Sequence, residues 1–378
     1  MIMPFDIYSD LMNIMKMIEE LDKKLLVNKK QSINNNDLSQ KAKKSPTIKV
    51  FGVGGAGCNV VTSLYNFFSM SEKIELYAIN TDQNHLNESK ADKKILIGEK
   101  TCNGYGAGDD PNIGEKAARE SIEALKNAAN GAKIAIVICG LGGGTGTGAV
   151  PVILELLRNF GIPTLSICFL PFSFEGEEKI KVAFKALERI KSLTNSYLII
   201  PNDHLLKFSS EQTFLEVFEV ANRYILTALN VLTKISSGQG IIKIDLRDVR
   251  EIIREGKNIF IGIGEADNSV SNRGLIALQK ALTLKFLEFD ISKVRRCLLT
   301  ISGDRHFLAK EVSDVLGFLT QKVEKLEKLK WSIIHDDNLG EMIRVMIVLT
   351  SNDSPSPKVL DSSPEEASII LSNVFGKG

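Results

Sequence analysis

The stretch GLGGGTGTGAVP, residues 140–151, directly follows the apolar run AKIAIVIC, residues 132–139. In it two threonines alternate with glycines just before a helical pattern. Glycine lets backbone N–H groups approach a phosphate closely, and the N-terminus of a helix favours negative charge. The stretch therefore predicts a phosphate-binding loop at the end of a strand, with tight packing of the turn as the alternative.

Two further glycine-rich turns follow the same plan. GVGGAGCN, residues 52–59, contains the G-x-G-x-x-G spacing, and Asp82 ends the next strand, where a dinucleotide-binding fold keeps its ribose acid. GYGAGDDP, residues 104–111, adds more backbone donors. Several such loops in one sheet favour a nucleotide site over packing alone. No G-x-x-x-x-G-K-[ST] motif is present, so phosphates would rest on amides, hydroxyls and a bound cation such as Mg²⁺.

Apolar runs alternate with helical stretches from Thr47 to about Pro201. This pattern predicts a doubly wound α/β domain whose parallel sheet binds ligand at the carboxyl ends of its strands. A long helix, apolar on more than one side, then precedes a smaller α+β domain with a mixed sheet. Single helices are predicted over residues 113–129 and 309–328. The predicted division is an amphipathic N-terminal helix (1–27), a linker (28–46), the nucleotide-binding domain (47–210), the central helix (211–237), the α+β domain (238–352) and a tail (353–378).

Composition excludes several classes of protein. The 378 residues carry a formal net charge of +1, which argues against nucleic-acid binding. No apolar run is long enough for a transmembrane segment, and no secretion signal is seen. The five cysteines are scattered, which indicates reduced thiols and no zinc site, and no metal-binding cluster is predicted.

The signature GGGTGTG resembles that of the tubulin/FtsZ superfamily, and its surroundings are similar to FtsZ in particular. The supporting motifs, in the family's order, are IKVFGVGGAGCN, AINTD, GAGDDPNIG, PFSFEG, IPNDHLL and IDLRDVR. The resemblance runs from about Thr47 to Asn352 and is that of a divergent member. It implies a GTPase that binds GTP or GDP with Mg²⁺, polymerises head to tail and hydrolyses GTP at the junction between subunits.

The resemblance also implies which residues meet the nucleotide. The residues that would contact the nucleotide are Gly55, Ala56, Gly57, Cys58, Asn59, Gly106, Ala107 and Gly108. The phosphates would be held by Gly142, Gly143, Gly144, Thr145, Gly146, Thr147 and Gly148. Glu175 would meet the ribose, with Lys179 beside it. Phe218, Asn222 and the neighbouring Arg223 would face the base.

Asp245 and Asp248 match the family's pair of acids that polarise the attacking water in the next subunit's site. A carboxylate can orient water in this way. Their spacing is equally that of a helix N-cap and its third residue, so capping is the alternative, and both roles can hold together.

Three residues depart from the family pattern. Lys243 stands where asparagine is usual, and its cation could stabilise phosphate charge or displace the group that positions water. Arg223 replaces an acid that accepts hydrogen bonds from guanine, and arginine has donors only. Lys179 replaces an arginine and loses the bidentate fork. Lys243 and Arg223 are therefore expected to weaken activity or guanine selectivity.

Three functions stay open on the sequence alone. The first is a GTP-hydrolysing cytoskeletal filament protein of cell division, cytoplasmic and located at the division site beneath the membrane. The second is a filament or scaffold protein with little hydrolysis, and the third a dinucleotide-dependent oxidoreductase. Expected partners are further copies of the chain, and a membrane adaptor or division proteins reached through the N-terminal helix or the tail.

Overall fold

The computed structural model describes residues 47–69, 71–208, 213–235, 242–283, 290–304, 308–323 and 325–352. The strands are β1 Ile48–Val53, β2 Ile74–Asn80, β3 Lys93–Leu96, β4 Ile134–Gly140, β5 Thr164–Leu170, β6 Ser196–Pro201, β7 Asn258–Ala266, β8 Val294–Gly303, β9 Lys328–His335 and β10 Ile343–Ser351. The helices are α1 Gly54–Phe68, α2 Gln83–Glu88, α3 Glu99–Cys102, α4 Pro111–Glu120, α5 Ile122–Ala129, α6 Gly144–Asn159, α7 Glu177–Leu193, α8 Asn202–Phe208, α9 Phe214–Ile235, α10 Leu246–Glu255, α11 Arg273–Leu282 and α12 Ala309–Lys322.

The first six strands form a parallel sheet in the order β3-β2-β1-β4-β5-β6. Strands β1 and β5 are buried along their whole length, because helices cover both faces. α1 and α9 pack on one face, and α4 to α7 pack on the other. This is the doubly wound arrangement predicted from the sequence, and its ligand crevice belongs at the carboxyl ends of the strands.

The remaining strands extend the same sheet in the order β7-β10-β8-β9. β7 joins β6 through the parallel pair Tyr197 and Asn258. β10 runs antiparallel to both β7 and β8, whereas β8 and β9 are parallel. The mixed sheet of the second half is therefore as predicted. Because β10 alone is reversed, β6, β7, β8 and β9 all point the same way, and their amino ends share one edge.

The long helix α9 links the two halves of the molecule. Its buried residues share one core with strands β1, β2, β4, β5 and β6 and with strands β7, β8 and β10. This explains why α9 is apolar on more than one side, as its sequence indicated. α11 and α12 cover the opposite face of the second half.

Two predicted helices are shorter than expected. The helix predicted over 113–129 is divided at Ser121, whose φ and ψ of −97° and 22° leave the helical range. There the Ser121 hydroxyl accepts a hydrogen bond from the Gly98 amide at 2.9 Å. The helix predicted over 309–328 ends at Lys322, and β9 begins at Lys328. The N-terminal helix, the linker and the tail predicted from the sequence lie outside the described residues.

Candidate functional site

A cleft of about 930 Å³ opens at the carboxyl ends of β1, β4 and β5. All three glycine-rich turns contribute to its wall, so the loops that the sequence singled out do converge. Gly54 and Gly146 lie against each other: a β-carbon on Gly54 would come within 2.9 Å of the Gly146 amide nitrogen. This close approach, together with the Gly54 φ of +72°, accounts for glycine at that position.

Helices α1 and α6 both begin at the cleft. Their N-cap residues, Val53 and Gly143, make no side-chain hydrogen bond to the first turn. Gly55 and Ala56 in the first turn of α1 line the cleft, as do Gly144 and the following residues of α6. Two helix N-termini without a capping side chain give the cleft backbone donors and partial positive charge, which suits an anion.

The hydroxyl of Thr145 lies at the surface of the cleft. Its Oγ1 is 2.6 Å from Thr81 Oγ1 at the end of β2, which fixes the side chain. Thr147, two residues on, is buried, and its Oγ1 accepts a hydrogen bond from the Gly142 amide at 2.9 Å. Of the two alternating threonines, one lines the cleft and the other holds the loop in shape.

The third loop closes the cleft from the side. Gly104, Gly106 and Gly108 have φ values of +79°, +86° and +56°, and Asp109 has +60°. The Gly106 amide donates to the carbonyl of Thr81 at 3.2 Å. The loop thus turns tightly over the end of β2 and leads into α4.

The far end of the cleft is aromatic and polar. Phe172 and Phe218 meet edge to face with centroids 5.9 Å apart. Asn222 Nδ2 donates to Ser63 Oγ at 3.1 Å, which joins α9 to α1. An aromatic face beside amide groups, which can both donate and accept, suits a nucleobase.

A charged pair lies between these two ends. Lys179 Nζ is 2.7 Å from Glu175 Oε2. Glu175 also accepts a hydrogen bond from the Phe172 amide at 2.8 Å, so its side chain is held from two directions. Lys179 is the one lysine or arginine among the described residues that line the cleft.

The acids Asp245 and Asp248 lie elsewhere, at the N-terminus of α10. Asp245 accepts hydrogen bonds from the amides of Arg247 and Asp248 at 2.8 and 3.1 Å, and the Asp245 amide donates to Asp248 Oδ2 at 3.0 Å. The predicted capping box is therefore present. Asp248 is buried and also forms an ion pair with Lys330 on β9.

Helix α10 runs along the amino edge of the sheet. Its last turn accepts a hydrogen bond from Ser196, the first residue of β6, at 2.7 Å. Arg296, near the start of β8, pairs with Glu255 at 3.0 Å, and Lys330 is near the start of β9. The cleft opens at the carboxyl edge, so the acids and the cleft of one chain lie at opposite edges of the sheet.

Comparison with known proteins assigns this architecture. A family model described as the GTPase domain of the tubulin/FtsZ family matches residues 47–210, and one described as the C-terminal domain of the FtsZ family matches residues 256–353. Cell division protein FtsZ 1 of Thermococcus kodakarensis is 39% identical over 308 residues, which cover 82% of this chain and 81% of that protein. The chain belongs to the tubulin/FtsZ family.

Solved structures of FtsZ and its relatives share the fold. An empty FtsZ dimer from M. jannaschii matches with a TM-score of 0.70 and 35% identity over 87% of this chain and 92% of that one. A GTPγS-bound protofilament of CetZ2 from Haloferax volcanii matches with a TM-score of 0.71 and 20% identity over 87% of this chain and 100% of that one, a likeness of fold alone.

Family membership supports the first function predicted from the sequence, a GTPase of the cytoskeleton that polymerises and acts in cell division. The scaffold with little hydrolysis and the oxidoreductase are not favoured. Within the described residues, no helix is both long and apolar enough to cross a membrane.

Most of the residues that the FtsZ resemblance implicates line the cleft. They are Gly55, Ala56, Asn59, Gly106, Ala107, Gly108, Gly143, Gly144, Thr145, Gly146, Glu175, Lys179, Phe218 and Asn222. Six others, Gly57, Cys58, Gly142, Thr147, Gly148 and Arg223, are not among the lining residues.

The implicated residues that do not line the cleft are packed against or paired with neighbouring parts of the protein. Side chains on Gly57 and Gly148 would overlap the carbonyls of Ile138 and Pro111, so both positions serve close packing. Burial raises the pKa of the Cys58 thiol to about 11. Arg223 Nη2 is 3.6 Å from Glu219 Oε2, one turn back on α9.

Sequence reasoning missed several lining residues, among them Ser63, His85, Tyr105, Asp109 and Asn202. Ser63 follows Asn59 by four residues on α1, so helical spacing could have found it. His85 is on the short helix α2, and its Nε2 is 2.9 Å from Asn59 Oδ1. No local signal in the sequence pointed to that contact, since the two residues are on separate elements.

Proposed function

We propose that GTP lies along the cleft with its phosphates against the N-termini of α1 and α6. Backbone amides of Gly55, Ala56, Gly144 and Gly146 and the hydroxyl of Thr145 would hold the phosphate oxygens. Support comes from the two uncapped helix N-termini, which face the same space. The loops that carry these groups would be held in shape by Gly57, Gly142, Thr147 and Gly148.

The other end of the cleft would hold the nucleoside. Glu175, oriented by Lys179, would accept a hydrogen bond from a ribose hydroxyl, and Phe218 would offer a ring to the base. Arg223 is paired with Glu219 and does not line the cleft. Selection of guanine would instead rest on Asn222 and Asn59, whose amides supply both a donor and an acceptor.

The cleft suits a nucleotide that brings its own Mg²⁺. Among the described residues, no three His, Cys, Asp or Glu side chains form a group able to hold a metal ion. Besides Glu175, which would meet the ribose, the described carboxylates that line the cleft are Asp82 and Asp109, and these two would be available to such an ion. Mg²⁺ commonly binds through one or two carboxylates together with substrate phosphates, and it would neutralise phosphate charge there.

Hydrolysis would occur where two copies meet head to tail. The observation that carries this proposal is the position of Asp245 and Asp248 at the edge of the sheet opposite the cleft. One chain cannot bring these acids to its own nucleotide, but the next chain in a filament can. Lys243 is exposed just before them and would face the same phosphates.

The reaction at this junction is a displacement at phosphorus. The oxygen of a water attacks the γ-phosphorus, the bond from phosphorus to the β–γ bridging oxygen breaks, and GDP and inorganic phosphate leave. One proton of the water stays on the oxygen that joins the released phosphate, and the other passes to a phosphate oxygen or to solvent. The carboxylates of Asp245 and Asp248 would orient this water, and the lysine at 243 would offset charge on the γ-phosphate.

The chain would act in the cytoplasm, at the division site beneath the membrane. The similar FtsZ 1 proteins of Thermococcus kodakarensis and Pyrococcus horikoshii are cell division proteins. An adaptor or other division proteins would be reached through residues 1–27 or 353–378, which lie outside the described residues.

A concentration series tests the proposal. Purified protein is mixed with GTP and Mg²⁺, and light scattering and phosphate release are followed together. Both are expected to rise above one common critical concentration, because the site is complete only between subunits. Phosphate release proportional to protein concentration, without assembly, would contradict the proposal.

A further inference from the structure

Lys330 contacts Asp248 directly across two elements. Its ammonium forms an ion pair with Asp248 Oδ1, while the amide of Asp245 donates to Oδ2 at 3.0 Å. Each carboxylate oxygen therefore has one fixed donor. The Asp248 side chain is 9% exposed and that of Lys330 40%, so the pair lies at the border between protein and solvent.

The alternation of side chains along β9 places this lysine. Lys328 and Lys330 lie on the face of β9 that meets α10, whereas Trp331 packs with the core beneath α12. The neighbouring bridge, in which the Ile333 amide donates to the carbonyl of Ile242 at 3.3 Å, holds the loop before α10 beside the same strand. Strand, loop and helix thus fix the geometry of the pair.

Other charges surround Asp248. Lys328 pairs with Glu251 one turn further along α10, Arg296 on β8 lies in the same groove, and Asp245 precedes the helix. Among these groups, Lys330 makes the direct side-chain contact with Asp248. The adjacent ion pair of Lys328 with Glu251, on the same two elements, offers a natural control.

We propose that Lys330 is a positioning residue for GTP hydrolysis, which holds the Asp248 carboxylate charged and in one orientation on the face presented to the next subunit. This inference rests on the proposed function, in which Asp248 orients the attacking water. Nothing in the sequence motif around Asp248 points to Lys330, which lies 82 residues further along the chain.

Charge gives the physical reason. A carboxylate that approaches a triphosphate is repelled, and it tends to take up a proton or turn away. An ammonium in contact with the carboxylate offsets this repulsion and leaves the remaining lone pairs free to accept from water. Lys330 thus keeps the Asp248 carboxylate charged and able to orient water at a junction where negative charge accumulates.

The pKa of Asp248 agrees with this role. Burial raises it, but the hydrogen bonds from Lys330 and from the Asp245 amide outweigh burial, so the pKa lies below its ordinary value of 3.8. Among the effects that lower the pKa, the hydrogen bond from Lys330 is the largest, and removal of the ammonium takes it away. The pKa of Asp248 then rises, and hydrolysis that needs the charged form is lost at a higher pH than in the wild type.

The test compares Lys330→Met with Lys328→Met, which breaks the adjacent pair with Glu251. For both variants and the wild type, phosphate release per sedimented subunit is measured from about pH 5 to pH 8, with GTP and Mg²⁺ above the critical concentration. Lys330→Met is expected to lower turnover by roughly tenfold or more, as small misplacements of a reacting group do. It should also move the acid limb of the profile to higher pH.

Lys328→Met is expected to keep both turnover and profile close to those of the wild type, and Lys330→Arg should restore most of the loss. The inference is overturned if Lys330→Met has the turnover and pH profile of Lys328→Met. Asp248→Asn separates this failure from that of the proposed function. If Asp248→Asn keeps turnover, the catalytic assignment of Asp248 is wrong. If Asp248→Asn abolishes turnover while Lys330→Met does not, only the role proposed for Lys330 is wrong.

Discussion

Asp245 caps helix α10, and in the proposed function the same carboxylate would also orient the attacking water. Its side chain accepts hydrogen bonds from two amides of α10, yet the residue is exposed at the surface that would meet the next subunit. The sequence left capping and catalysis open as alternatives. The structure adds the capping contacts, and they do not use up the carboxylate, because both amides donate to Oδ1 and leave Oδ2 to accept from water.

Substitution of Asp245 by asparagine separates the two roles. Asparagine is as good an N-cap as aspartate, so Asp245→Asn should change the free energy of unfolding by less than about 0.5 kcal/mol, whereas Asp245→Ala should cost about 1 kcal/mol. Turnover of GTP should fall on the order of 100-fold in both variants, since neither keeps the charge. Thermal unfolding and phosphate release measure these effects. Full turnover in Asp245→Asn would mean that the residue only caps α10.

At the scale of elements, an ion network binds three helices on one face of the sheet. Glu115 on α4 lies 2.7 Å from Arg189 on α7 and 2.7 Å from Arg119 on α4, while Arg189 also reaches Glu155 on α6 at 3.0 Å. Hydrogen bonds from Arg189 and then Arg119 lower the pKa of Glu115 to about 2, against the opposing effect of burial. The network steadies α6, the helix whose N-terminus faces the cleft.

This network makes stability depend on pH in a defined direction. Because the pKa of Glu115 falls from 4.5 unfolded to about 2 folded, its contribution is complete above pH 4.5 and is lost as the pH drops towards 2. Arg189→Gln should therefore lower the free energy of unfolding by about 1 kcal/mol at neutral pH, and by less at about pH 3.

Lys181→Gln is the matched control for Arg189→Gln. It breaks a pair with Glu177 on the same helix, in which both side chains are 60% exposed. Such a pair should contribute less than about 0.5 kcal/mol. Urea unfolding at the two pH values measures all three proteins. An effect of Arg189→Gln that is equal at both pH values would rule out Glu115 as its source.

The sequence predicted elements well where a repeat of apolar residues sets them, as in β1, β4, β5 and α9. The prediction of one continuous helix over 113–129 was wrong, because the chain bends at Ser121. There the Ser121 hydroxyl accepts a hydrogen bond from the amide of Gly98, which is distant in sequence. The sequence-based prediction also extended α12 into residues that lead to β9. The apolar residues of VEKLEKLK have the spacing of an exposed helix. From Lys328 onward, however, pairing with β8 makes this segment a strand.

At the scale of the whole molecule, the sheet sets the distance between the two functional faces. The glycine loops follow strands, so the sequence could place them at one edge of the sheet. Arg223 pairs with Glu219 and is not among the residues that line the cleft, and its predicted contact with the base stays a prediction. The contact of Lys330 with Asp248 could not be foreseen either, since it depends on how β9 registers with β8 and α10.

In the proposed function each active site is made by two subunits, and a mixture of two inactive variants is a direct test of this. Asp248→Asn retains the cleft but lacks the acid. Gly143→Asp retains Asp248, but it adds a carboxylate at the N-cap of α6, where it would repel phosphate. The φ and ψ of −93° and −178° at this position accept any residue. Each variant alone should release little phosphate.

Phosphate release after mixing is the decisive measurement. Equal amounts of the two variants should together regain a substantial part of wild-type turnover, because the cleft of Asp248→Asn meets the acid of Gly143→Asp. Turnover by Asp248→Asn alone at the wild-type rate, or a mixture no more active than its components, would contradict a site shared between neighbouring subunits.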